Sequence, residues 1–129
     1  MKIKELDALA ETAHILSNAV DDTTKIIAEV EAAITKKNKF KFEFTHHADY
    51  IENIFISWKK NKKKKNCKIY IKMVGTDIDR PMTDLPVTLR IEMIKYLPAF
   101  LEAFNSYMID TAVELEDTIA KMKSELECY

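Results

Sequence analysis

A chain of 129 residues with 47% apolar and 32% charged side chains is long enough for one domain with a buried core, and too apolar to stay disordered. Its single glycine, Gly75, excludes phosphate-cradling glycine loops, dinucleotide fingerprints and glycine-based nucleophile elbows. The net charge of −1 hides a polarity. Residues 1–35 carry three lysines against seven acids (−4), residues 36–72 twelve lysines against three acids (+9), and residues 73–129 five basic side chains against eleven acids (−6).

Residues 1–37 are predicted to form one N-terminal helix. Leu6, Leu9, Ala13, Leu16, Val20, Thr23, Ile27, Val30 and Ile34 alternate steps of three and four, an unbroken heptad seam. Ile15 and Ile26 widen that face. Asp21-Asp22-Thr23-Thr24 is good capping chemistry for a second helix, but the seam runs through it in register, which favours one. Lys36 and Lys37 suit a helix C-terminus, and Asn38 suits a left-handed turn after it.

Residues 40–75 read as a basic β-meander, because the apolar period changes from 3.6 to 2. Phe40, Phe42 and Phe44 predict a first strand and His46-His47-Ala48-Asp49 a turn. Asn53 to Lys59 predicts a second strand with Ile54, Ile56 and Trp58 inward, and Lys60 to Asn66 a hairpin tip. Cys67, Ile69, Ile71 and Met73 predict the inward face of a third strand. Ile78 to Met82 reads as a linker.

Residues 84–127 are predicted to form a kinked C-terminal helix. Asp84 is placed to cap it, and Pro86 fits its first turn. Ile94, Leu97, Leu101, Phe104, Met108, Ala112, Leu115, Ile119, Met122 and Leu126 form its apolar stripe. Two consecutive steps of four, Phe104 to Met108 to Ala112, make a stutter. Pro98 predicts a kink or a break near Tyr96-Leu97. The expected fold is α+β, one domain of order α-β-β-β-α, with a three-stranded antiparallel meander packed against two long amphipathic helices.

The first helix alone would be roughly 50 Å long, against roughly 36 Å for a compact globule of this size. Three short strands do not cover two such helices, so the seams are expected to join copies of the chain. The expected oligomer interface is Leu16, Val20, Ile27, Val30, Leu101, Phe104 and Met108.

The lysine-rich middle suggests an anion or acidic-partner site: Lys59, Lys60, Lys62, Lys63, Lys64, Lys65, Lys68 and Lys72, interleaved with Phe55 and Tyr70. Rings among lysines stack bases while ammonium groups hold phosphates. The competing reading is a solvated edge that discourages sheet-to-sheet aggregation. No arginine lies in this region. Arg80 and Arg90 follow it, as carboxylate partners of Asp77, Asp79, Asp84 or Glu92, or as a phosphate clamp near a helix N-terminus. His46, His47 and Asp49 do not specify a closed metal site, and no nucleophile-base pair is legible. His14 falls on the outer face of the first helix, and Cys67 and Cys128 read as reduced thiols. No apolar run nears the roughly 20 residues of a membrane span, and no secretory signal is present, so a cytoplasmic location is expected.

Arg80-Pro81-Met82-Thr83-Asp84-Leu85-Pro86, then Arg90 and Tyr96-Leu97-Pro98-Ala99-Phe100-Leu101-Glu102, is similar to small uncharacterised proteins encoded by bacteriophages. The resemblance covers about the C-terminal third and carries no catalytic residue. It implies an accessory or counter-defence protein in the bacterial cytoplasm that binds and blocks a host protein or sequesters a phosphorylated small ligand. Together these readings lead to the expectation of a non-enzymatic homo-oligomer without cofactor or metal. The alternatives are a nucleic-acid-binding module using the lysine hairpin, or a purely structural assembly protein.

Overall fold

A computed structural model describes residues 4–38, 42–61 and 66–128. The chain is α+β. Helix α1 (Lys4–Lys37) is followed by strands β1 (Phe44–Asp49), β2 (Ile54–Lys60), β3 (Cys67–Met73) and β4 (Asp79–Pro81). A short 3-10 turn (Met82–Asp84) leads to helices α2 (Val87–Ile94) and α3 (Leu97–Glu127). The strands form one antiparallel sheet in the order β1-β2-β3-β4.

α1 is a single helix, as the continuous seam requires. Thr23 and Thr24 are accommodated because both hydroxyls donate to the Val20 carbonyl, at 2.7 and 3.3 Å. Asn38 ends it through its side chain: Nδ2 donates to the Phe42 carbonyl at 3.0 Å, and Oδ1 accepts from the Phe42 N–H at 3.1 Å. The left-handed positions fall elsewhere, at Asn53 (φ 54°) in the β1–β2 turn and Gly75 (φ 88°) in the β3–β4 turn.

Three expectations are corrected here. The first strand starts at Phe44 and takes in His46 and His47, which were expected in a turn; Phe40 lies outside the described residues. Asp79–Pro81, expected in a linker, is a fourth strand paired with Tyr70, Ile71 and Lys72. Asp84 does not cap α2, which starts straight after Pro86 with no side-chain cap. The expected break is present. Lys95 and Tyr96 separate α2 from α3, and Pro98 sits in the first turn of α3, where its missing N–H costs nothing.

All three helices cover one face of the sheet. The core joins Ile54, Ile56 and Trp58 of β2 and Ile69 and Ile71 of β3 to Ile27, Met82, Leu85, Met93, Leu97 and Phe100. Phe44 of β1 meets Phe104 edge-on at 5.2 Å and stacks on Tyr107 at 5.2 Å, which anchors α3 under the sheet edge. Glu31 of α1 accepts from the Ile69 N–H at 2.8 Å, just past the end of the short β4. That bond satisfies a backbone donor the sheet leaves open.

Burial also corrects the expected oligomer interface. Ile27 is fully buried and Phe104 is 6% exposed, so both belong to the chain's own core. Val30, Leu101 and Met108 pack half-buried against that core. Val20 is half-buried and Leu16 is exposed. From Lys4 to Ala19, and from Ala112 to Cys128, every residue is exposed. Both long helices therefore run out of the packed body as arms, and no described helix is long and apolar enough to cross a membrane.

Candidate functional site

Antiparallel pairing puts register partners on one face. The outward partners are Thr45 with Ser57, Ser57 with Tyr70, Lys59 with Lys68, Phe55 with Lys72, and Lys72 with Asp79. Helices seal the other face, so this one is open. It gathers Phe55, Lys59, Lys68, Tyr70 and Lys72, all expected there from the alternation. Lys60 is exposed at the end of β2, with its backbone N–H bonded to Glu43 at 3.2 Å. Lys62, Lys63, Lys64 and Lys65 lie outside the described residues.

Two shallow hollows lie on this face. One, of about 300 Å³, is lined by Thr45, Phe55, Ser57, Tyr70 and Lys72 among others. Its floor is a hydroxyl pair, Thr45 Oγ1 to Ser57 Oγ at 2.9 Å. That pairing fixes both side chains and offers no base to either hydroxyl. The other, of about 390 Å³, is lined by Lys59, Lys60, Asn61, Tyr70, Asp79 and Asp84 among others. Lys59 sits between them: its Nζ is 4.6 Å from the centre of the Tyr70 ring and 3.6 Å from Asp79 Oδ1. The Lys59–Asp79 pair is about half exposed and correspondingly weak. Burial pushes the Tyr70 phenol above its usual range, with the Asp79 and Asp84 carboxylates adding to the shift.

The first hollow favours an anion more than the second. Lys59 and Lys72 line it against one carboxylate, Asp79, whereas Asp79 and Asp84 together offset Lys59 and Lys60 in the second. Beside the first hollow His47 stacks on Phe55, with ring centres 4.2 Å apart and planes 7° apart, and Tyr50 meets the His47 ring at 4.1 Å, tilted by 59°. The result is an aromatic cluster, one stacked pair and one tilted ring, at the end of a lysine-bearing face. The alternation already put Thr45 on the polar face of the first strand, but sequence reasoning missed His47 and Asp79 as members of this site. Extending the β1 alternation past Thr45 would have placed His47 outward; Asp79 sits in a strand too short to carry a pattern.

The two arginines are not part of this face. Arg80 pairs with Ile71 and so projects from the helix-covered side. Arg90 lies part-buried on α2, where Nη1 donates to the Thr24 hydroxyl of α1 at 2.6 Å. It ties two helices together through a hydroxyl, not through any of the carboxylates expected from the sequence. His46 and His47 join no metal cluster: among the described residues no three His, Cys, Asp or Glu side chains are grouped to hold an ion. At the far end of β1, Asp49 accepts from the Ile51 and Glu52 N–H groups at 2.8 and 3.0 Å and from the Tyr96 hydroxyl at 2.9 Å. The Glu52 N–H bond, then the Tyr96 hydroxyl, hold this carboxyl below its usual range, and the same bond holds the Tyr96 phenol above its own. The cluster anchors the β1–β2 turn to the start of α3.

Comparison with protein-family models, with curated proteins and with solved structures finds no match to this chain.

Proposed function

We propose that this chain is a non-enzymatic binding protein that works as a homo-oligomer, presenting the open face of its sheet to an anionic partner. The observation that carries the reading is the division of the sheet into a sealed face and an open one. On the open face Lys59, Lys68 and Lys72 interleave with Phe55 and Tyr70 in adjacent register. Ammonium groups attract phosphate or carboxylate, and the rings give a flat, low-entropy contact surface. The exposed helical arms support the oligomeric part. The resemblance of the C-terminal third to bacteriophage accessory proteins adds a setting, the cytoplasm of a bacterial host. There the partner is a host factor to be blocked or a phosphorylated small ligand to be held.

A second reading, a nucleic-acid-binding module, is favoured by the stacked His47–Phe55 pair beside Lys72. Native mass spectrometry of freshly purified protein tests the first reading. An oligomer carrying an added phosphate-containing mass, lost in a Lys59→Gln, Lys68→Gln, Lys72→Gln variant, supports ligand sequestration. Titration with a labelled single-stranded oligonucleotide separates the second: binding that weakens steeply with salt and needs the same lysines favours it. Catalytic turnover of a nucleotide, abolished by one substitution on this face, would refute the non-enzymatic reading.

A further inference from the structure

The stutter in the α3 stripe disappears once burial is taken into account. Phe100 and Phe104 turn into the chain's own core, whereas Asn105 is exposed. With Asn105 in place of Phe104, the outward seam is Leu101, Asn105, Met108, Ala112, Leu115, Ile119, Met122 and Leu126. Its steps alternate four and three without a slip, which is a heptad repeat along the whole helix. The seam has two different halves. Leu101, Asn105 and Met108 form one wall of an apolar groove of about 310 Å³, and Val30, Ala33 and Ile34 of α1 form the other. Ala112 to Leu126 is bare: Leu115, Ile119 and Met122 are 51, 52 and 53% exposed.

We infer that α3 pairs antiparallel with α3 of a second copy about a two-fold axis between Ala112 and Leu115, each bare arm lying in the other's α1–α3 groove. This deepens the proposed oligomer by naming its interface. In that register Leu101 faces the partner's Leu126, Asn105 the partner's Met122, Met108 the partner's Ile119, and Ala112 the partner's Leu115. No seam residue is left over, and each groove receives an apolar ridge.

Three observations select this occupant. The first is area. The chain exposes 9829 Å², against roughly 7,000 Å² for a compact chain of 15.0 kDa. The excess comfortably exceeds the roughly 800 Å² per partner that a stable interface covers. The second is charge. The flanking positions that meet across an antiparallel seam pair Glu102 with the partner's Lys123, twice by symmetry. The third is shape. A parallel pairing would set groove against groove and leave both arms to cover only each other.

Disulfide trapping tests it, in a Cys128→Ser background so that the remaining native cysteine is the buried Cys67. Met108→Cys with Ile119→Cys, and separately Leu101→Cys with Leu126→Cys, are expected to give a covalent dimer under mild oxidant, and each single cysteine none. All four positions lie on exposed or half-buried helix surface, and circular dichroism checks that the fold is kept. The untreated wild type is expected to have an even multiple of the chain mass. A cross-link from any single cysteine would mean a parallel pairing, and a double variant that stays uncross-linked while the oligomer mass persists would mean another occupant, such as the α1 arm. Either overturns the antiparallel seam and leaves the oligomeric reading standing. A monodisperse wild-type monomer at micromolar concentration overturns both.

Discussion

The two halves of α3 are built from the same kinds of residue and end in opposite environments. Leu97, Phe100 and Phe104 are buried under β1, whereas Leu115, Ile119 and Met122 stand half-exposed on the arm. α1 repeats the contrast in reverse, with Ile27 fully buried near its C-terminal end and Leu6, Leu9 and Leu16 exposed near its start. Helical periodicity reports that a face is apolar. It does not report what covers that face, which depends on where the sheet ends. The packed halves hold the fold together; the arms carry apolar surface that the single chain leaves uncovered.

The contrast predicts opposite consequences for substitutions of similar size. Phe100→Ala, at a fully buried site against Phe44 and Phe104, should lower unfolding free energy by about 3–5 kcal/mol, measured by denaturant titration. Ile119→Glu on the arm should leave the secondary structure intact and change the stability of the isolated chain by less than about 0.5 kcal/mol. It should nevertheless lower the oligomer mass in light scattering. If Ile119→Glu unfolded the chain while the mass of the folded fraction stayed the same, the division into packed half and arm would fail.

The link between the packed halves is sharpened by Thr24→Val. It removes the acceptor of the part-buried Arg90 guanidinium, and the unmet donor should cost about 1–3 kcal/mol. Arg90→Met together with Thr24→Val should recover part of that loss, since both polar partners are then gone. On the open sheet face, Lys59→Gln, Lys68→Gln and Lys72→Gln combined should weaken binding of a short polyphosphate about tenfold and flatten its salt dependence. The oligomer mass should not change. An unchanged affinity would assign these lysines to solvation alone.

Much of this fold was legible from spacing. Alternation placed Ile54, Ile56, Trp58, Ile69 and Ile71 inward and Phe55, Lys59, Lys68, Tyr70 and Lys72 outward, because a strand has no freedom to do otherwise. Pro98 marked the α2–α3 break for an equally local reason. The fourth strand was not legible: Asp79-Arg80-Pro81 is too short for a period, and proline argues against a strand except at an edge, which is where it lies. β1 begins only at Phe44, the last of the alternating phenylalanines, and continues through His46 and His47, residue types that suit a turn equally well. Arg90 was expected to find a carboxylate and found the Thr24 hydroxyl, a partner 66 residues away that no local reading of the linker contains. The burial of Phe104, and with it the clean seam through Asn105, depends on the Phe44 ring of another element, which no helical pattern contains.

The smallest expected effect sets two carboxylates against each other. Glu31 joins α1 to β3, and burial outweighs its bond to the Ile69 N–H, so its carboxyl is held above the usual value. A raised acid stabilises the fold fully below its unfolded pKa, and loses that contribution as pH rises through the folded one. Asp49 is held below its usual value, so its contribution is present at neutral pH and is lost as pH falls through the folded pKa. Glu31→Gln keeps an acceptor for Ile69 and removes the buried charge. Its melting temperature should rise relative to wild type near pH 7, and this gain should vanish toward pH 4. Asp49→Asn should do the reverse, losing most near pH 7 and least in acid, where wild-type Asp49 is already protonated. Each difference should be a few degrees at most. Melting curves from pH 3 to pH 8 decide it. A Glu31→Gln variant that lost stability at pH 7 would mean that the charged form is needed to hold β3, and that the bond to Ile69 outweighs the cost of burial.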